Sequence, residues 1–136
     1  MRVTVRFAEP EDALALQVLT APAFGARVLD WEGADTRGWL VAADGDGLIV
    51  GALHVLLGRP VGRLEMLALS DSLNGRSSHT VMRLLIDAGF AVLADTGSRI
   101  ISAQVADENK GMRRFLKKNY GFEFAQRLNT YVAGLT

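Results

Sequence analysis

The sequence predicts an α/β fold, in which helices pack on one mixed β-sheet. Two apolar runs, Trp39–Ala43 and residues 48–57, are joined by Asp-Gly-Asp-Gly, which is typical of a β-hairpin. Further on, the strand pattern of residues 64–69 leads into a long helical pattern and then into another strand pattern at residues 99–105. A strand, a helix and a strand in this order form a parallel pair, so we expect the sheet to be mixed.

The N-terminal part begins with a half-buried strand. In residues 2–7, valine and phenylalanine alternate with arginine and threonine, as such a strand requires. Pro10, followed by two acidic residues, suits the first turn of a helix, and apolar side chains continue at helical spacing until Pro22. Residues 21–36 leave a short helix and an irregular flap both open. Trp31 in that segment is either a wall of a substrate pocket or a packed core anchor.

The middle of the chain predicts three consecutive antiparallel strands. The third of them, residues 64–69, follows a Gly/Pro turn at residues 58–62. The polar residues 71–80 separate it from a helix at residues 81–95, whose apolar side chains lie nearly all round its axis. That pattern indicates a helix packed on the sheet with little exposure to solvent.

The C-terminal part predicts a short helix followed by strands. Residues 110–118 carry one apolar stripe, and the sequence Tyr120-Gly121-Phe122 ends the helix. Residues 122–128 and 130–135 have strand-like composition. The C-terminal strands could also pair across a two-fold axis in a homodimer.

Composition narrows the class of protein. The 136 residues favour a single domain over residues 1–136, and 49% hydrophobic with 22% charged residues indicates a folded globular chain. Fifteen basic and fifteen acidic residues cancel, so the net charge gives no reason to expect a nucleic-acid or membrane partner. No apolar run reaches the length of a membrane span, and charges occupy the N-terminus where a signal peptide is apolar, so we expect a cytoplasmic protein.

The composition also argues against several kinds of functional site. The absence of cysteine excludes disulfides, thiolate metal sites and a cysteine nucleophile. Two histidines without metal-ligand spacing argue against a metal site.

The junction between the strand at residues 64–69 and the following helix predicts an anion site. A strand that ends in a Gly/Ser/Asn loop and opens into a helix directs unpaired backbone N–H groups and the positive end of the helix dipole to one point. A phosphate, a pyrophosphate or a carboxylate would suit that point. The loop could equally be polar only because it has to turn.

Two segments carry a family resemblance. LEMLALSDSLNGRSSHTVMRLL is similar to the strand and the Arg-Gly-x-Gly-x-Gly/Ala phosphate loop of the GNAT superfamily of acyl-CoA N-acyltransferases, and VADENKGMRRFLKKNYGFE is similar to its later Asn-led helix. Asn109 and Gly121-Phe122-Glu123 match that second pattern. The resemblance implies a GNAT-like domain with a mostly antiparallel sheet, helices on both faces, and two parallel strands that splay apart. It also implies transfer of an acetyl group from acetyl-CoA to a primary amine of a small molecule or a protein.

The resemblance assigns the residues that would hold acetyl-CoA. In the loop, Asn74 takes the place of the family's Arg, while Ser77 and His79 take the place of small residues, so Arg76 is the candidate positive charge. The implied acetyl-CoA contacts are Leu67, Ala68, Leu69, Asn74, Gly75, Arg76, Ser77, Ser78, His79, Asn109 and Arg113.

The resemblance also implies a catalytic pair. Glu65, the acid of the strand, is the candidate base for the attacking amine, although it could instead be a solvated carboxylate or the partner of Arg63. His54 on the adjoining strand is an alternative base or a structural histidine. The family's usual tyrosine acid falls on Leu116, so Tyr120 is the candidate acid, with a packing role as its alternative. A binding or structural protein of the same fold without activity, like those of tailed phages, is the second functional hypothesis.

Overall fold

The computed structural model describes residues 2–24, 36–105 and 110–125. They belong to two compact units, Met1–Ala103 and Gln104–Thr136. The larger unit holds a five-stranded sheet. That the whole chain acts as one domain stays a prediction.

The sheet has its strands in chain order, and each strand pairs with its neighbours in sequence. Its members are β1 (Thr4–Phe7), β2 (Trp39–Ala43), β3 (Ile49–Leu56), β4 (Val61–Leu69) and β5 (Ile100–Ala103). The first four strands are antiparallel, and β4 and β5 are parallel. This confirms the predicted mixed sheet and the predicted parallel pair.

Helices cover both faces of the sheet. Leu16 of α1 (Ala13–Phe24) belongs to a buried cluster with Trp39, Val41 and Ala52. Gly51 precedes Ala52 on β3 and faces α2 (Gly75–Asp95), since a Cβ added to Gly51 would lie 2.7 Å from the Val81 side chain. Adjacent residues of a strand point to opposite faces, so α1 and α2 lie on opposite sides of the sheet.

The predicted hairpin between β2 and β3 is present. The Asp44 side chain accepts hydrogen bonds from the backbone N–H groups of Asp46 and Leu48, at 2.9 and 3.0 Å. An aspartate that bonds to the backbone after it is a typical way to close such a turn.

Helix α2 begins earlier than its apolar pattern predicts. It starts at Gly75 rather than at residue 81, because Asn74 and Ser77 cap it reciprocally: Asn74 Oδ1 accepts the Ser77 N–H and Ser77 Oγ accepts the Asn74 N–H. The prediction that this helix has little solvent exposure was wrong. One face is buried, and the other leaves Leu84 38% exposed.

Helix α1 runs past the predicted end at Pro22 to Phe24. Pro22 lies in the last turn of the helix, two residues before its end. Of the ambiguous segment, residues 21–24 are helical, and Trp31 lies outside the described residues.

The smaller unit contains α3 (Lys110–Tyr120), which runs two residues past the predicted Lys118 and ends within the predicted Tyr120-Gly121-Phe122 break. Gly121 has φ +70°, its N–H donates to the Lys117 carbonyl, and the Phe122 N–H donates to the Leu116 carbonyl, a common glycine-based helix ending. The strand prediction for residues 122–128 was wrong over residues 122–125, which form neither helix nor strand. Its remainder and the prediction for residues 130–135 lie outside the described residues.

None of the helices in the described ranges is long and apolar enough to cross a bilayer. Within the same ranges, no group of three or more histidine and acidic side chains could hold a metal ion.

Candidate active site

Strand β4 contains a bulge directly after Glu65. Glu65 pairs with His54 of β3, but Ala68 pairs with Ala52, so the single residue between them on β3 faces both Met66 and Leu67. Met66 has φ +47°, in the left-handed region. Such a bulge bends the strand and changes the direction of its backbone groups.

The parallel pair ends at the same place. Strand β5 pairs with β4 from Val61 to Leu64, and its last residue, Ala103, lies opposite Leu64. Among the described strands, β4 therefore continues from Glu65 to Leu69 without a β5 partner. Ser70 donates its N–H to Val50 and Ala68 pairs with Ala52, so the backbone groups of Leu67 and Leu69 point to the other edge. Among the described strands they have no partner there, which suits a ligand that pairs like a strand.

The N-terminus of α2 follows β4 after a short polar turn. Asn74 accepts two backbone donors, with its side chain bonded to the Ser77 N–H at 2.9 Å and its carbonyl to the Ser78 N–H at 2.8 Å. The amides of Gly75 and Arg76 have no acceptor within the helix, since the first amides of any helix lack one. The predicted anion site is thus reduced to two amides and the helix dipole.

The side chains that replace the family's glycines do not strain this turn. The positive-φ residues of the described chain are Met66 and four glycines, none of them within residues 74–79. Ser77 and His79 therefore occupy helical positions that any residue adopts. His79 is exposed in the first turns of α2, and its backbone lies inside the helix rather than in an open loop.

The strand register brings three candidate side chains together. His54 Nδ1 lies 3.1 Å from Glu65 Oε1, and Arg63 Nη1 lies 3.6 Å from Glu65 Oε2. The Glu65 side chain is 24% exposed, so it keeps access to solvent. The sequence named all three residues separately. It anticipated Arg63 as a partner of Glu65 but missed the contact with His54, because that pairing follows from the register that the turn between β3 and β4 sets.

The other predicted residues belong to the smaller unit. Tyr120 ends α3, and its ring packs against Phe115 with centroids 5.7 Å apart. Arg113 is exposed on α3, and Asn109 lies outside the described residues. Their proposed roles remain predictions.

The mixed five-stranded sheet, with antiparallel strands, one parallel β4–β5 pair and helices on both faces, has the GNAT fold that the resemblance implies. Solved structures support this assignment. A Trypanosoma brucei acetyltransferase superposes with a TM-score of 0.74 at 19% identity, over 97% of this chain and 100% of that chain. The aminoglycoside N-acetyltransferase AAC(6')-Iy, solved in complex with CoA, gives a TM-score of 0.72 at 19% identity, over 97% and 95% of the two chains.

A third structure has a different name but the same fold. A transcriptional regulator from Bacillus halodurans C-125 superposes with a TM-score of 0.75 at 15% identity, over 96% of this chain and 100% of that chain. No protein-family model matches the sequence, and no curated protein matches it. At these identities the likeness establishes the fold, and the function has to be argued from the site.

Proposed function

We propose that this protein is an acetyl-CoA-dependent N-acetyltransferase that acts on a primary amine. The observation that carries the proposal is the open edge of β4, where Glu65 immediately precedes a bulge and the paired part of β5 ends. An acyl carrier and a base are both needed for acetyl transfer to an amine. This part of the sheet offers a place for each.

Acetyl-CoA is the proposed co-substrate. Its amide-containing arm would pair with the backbone groups of Leu67 and Leu69, as an added strand does. Its pyrophosphate would lie at the amides of Gly75 and Arg76, with the exposed Arg76 side chain adding positive charge. Two of the similar structures, AAC(6')-Iy and Rv2747 from Mycobacterium tuberculosis, were solved with CoA, which supports this choice.

Glu65 is the proposed base. An alkyl ammonium has a pKa of about 10, so at neutral pH it must lose a proton before its nitrogen can attack. The carboxylate takes that proton, the nitrogen attacks the thioester carbonyl, and a backbone N–H near the bulge stabilises the charge that develops on oxygen. The bond to sulfur then breaks, and the proton that the nitrogen loses as the amide forms passes to the thiolate, which leaves as the CoA thiol.

The amine can belong to a small molecule or to a protein. The names of the similar structures include an aminoglycoside N-acetyltransferase and a ribosomal-protein-alanine N-acetyltransferase, so both kinds of acceptor occur with this fold. The alternative of an inactive binding protein is not favoured by these neighbours.

The test is release of CoA thiol from acetyl-CoA over a panel of small amines and peptide N-termini. We expect sustained release with at least one acceptor. Glu65→Gln should lower kcat by about 100-fold, since general bases contribute about 10² to 10⁴ in rate. Asp46→Asn is the matched control, because it neutralises an exposed acid in the β2–β3 turn and should leave kcat unchanged.

Two results would contradict the proposal. One is absence of acetyl-CoA and CoA binding at millimolar concentration in isothermal titration. The other is binding without turnover on any acceptor, which would favour the inactive protein.

Sedimentation at several concentrations would test the predicted homodimer, and a monomer throughout would exclude it.

A further inference from the structure

His54 lies between two partners on neighbouring strands. On β2 it pairs with Trp39, and the centroids of the two rings lie 5.0 Å apart with an angle of 53° between the ring planes. On β4 it pairs with Glu65. Trp39 is buried in the cluster beneath α1, so it offers the imidazole a rigid wall.

Gly38 provides the space that this ring needs. It has φ +84°, and a Cβ added there would lie 3.1 Å from His54 Nε2. The Gly38 carbonyl accepts the Val55 N–H at 2.8 Å, which ties this main chain to the strand that carries His54. The imidazole is therefore held by Trp39 and by the main chain at Gly38, with Nδ1 directed at Glu65.

Among the described residues, the hydrogen bond from His54 is the shortest polar contact of the Glu65 carboxylate. A carboxylate only accepts, so the proton of the 3.1 Å contact belongs to Nδ1. Arg63 is 3.6 Å from the other oxygen and 44% exposed, beyond hydrogen-bond distance and screened by solvent. His54 thus fixes one oxygen of the carboxylate and leaves the other to a substrate.

We propose that His54 is a positioning residue for acetyl transfer. Its Nδ1–H fixes the Glu65 carboxylate beside the bulge, so that the second oxygen meets the ammonium of the acceptor. The base of this site is then Glu65, and His54 acts through it rather than on the substrate. This inference rests on the proposed acetyltransferase function.

The test compares two variants of one residue. Asn places an amide N–H close to the position of Nδ1, whereas Leu has similar bulk and no donor. His54→Leu should lower kcat at least about tenfold with the KM for acetyl-CoA within about twofold, because misplacing a reacting group has effects of this order. His54→Asn should restore kcat to within about threefold of the unsubstituted protein. Leu56→Asn, at an exposed position of the same strand, is the control.

The outcomes separate this inference from the proposed function. If the unsubstituted protein releases no CoA with any acceptor, the acetyltransferase proposal fails. If it is active and His54→Leu retains its kcat, or if Asn and Leu lower kcat equally, the positioning role is wrong. ¹⁵N NMR of the unsubstituted protein gives a second test that does not depend on a variant folding. Neutral His54 should carry its proton on Nδ1, and a proton on Nε2 would overturn the inference.

Discussion

At the residue scale, Met66 adopts a backbone conformation that a residue with a Cβ disfavours. A left-handed conformation costs a residue with a Cβ about 1 to 2 kcal/mol, and more for a β-branched one. Met66 adopts φ +47° because the sheet on either side of it requires an extra residue in β4. The conformation places the bulge next to Glu65, which is where backbone strain often accompanies function.

This strain predicts an ordering of two variants. Met66→Gly removes the Cβ that makes positive φ unfavourable. Met66→Val adds a branch at that Cβ, which makes positive φ more unfavourable. We expect the free energy of unfolding in urea to be at least about 1 kcal/mol lower for the valine variant than for the glycine variant. Equal values would show that Met66 is not held in the left-handed region.

At the scale of elements, one ion pair ties β1 to the helix that follows. Arg6 donates to both oxygens of Asp12, at 2.7 and 3.1 Å, and Asp12 Oδ2 also accepts the Glu9 N–H at 2.8 Å. Asp12 is buried. The hydrogen bond from Arg6 is the main reason why the pKa of Asp12 is lowered in the folded protein, and the bond from Glu9 acts in the same direction.

This lowered pKa predicts a pH dependence of stability. The folded protein holds the Asp12 proton less tightly than the unfolded chain, so the stabilisation is complete above the ordinary aspartate pKa of about 4 and is lost as the pH falls below it. Asp12→Asn should lower the free energy of unfolding by about 2 kcal/mol at pH 7. The difference from the unsubstituted protein should shrink towards pH 3 in urea titrations. A difference that stays constant with pH would contradict this account.

At the scale of the whole molecule, binding of acetyl-CoA should stabilise the fold. A ligand at about 100 times its Kd adds about 2.7 kcal/mol, which should raise Tm by several degrees for a chain of this size. Pantetheine, which lacks the pyrophosphate, should raise Tm less, because it cannot reach the amides of Gly75 and Arg76. Equal shifts from the two ligands would exclude an anion site at the N-terminus of α2.

Much of the fold could be read from local patterns. Alternation predicted β1, the Asp-Gly-Asp-Gly turn predicted the hairpin, and the crossover through a helix predicted that β4 and β5 are parallel. The apolar patterns did not locate the start of α2. Asn74 and Ser77 extend α2 by capping, which depends on side-chain hydrogen bonds rather than on apolar spacing.

The sequence by itself determined which chemical groups are available: an acid on β4, a histidine on β3, and a polar turn before a helix. Only the tertiary structure decided that Glu65 and His54 meet at 3.1 Å and that the parallel pairing stops at Leu64. The reason is physical. The turn that joins β3 and β4 sets their register as far as the His54–Glu65 pair, and the bulge at Met66 shifts the pairs beyond it. Neither offset is recorded in the apolar pattern of either strand.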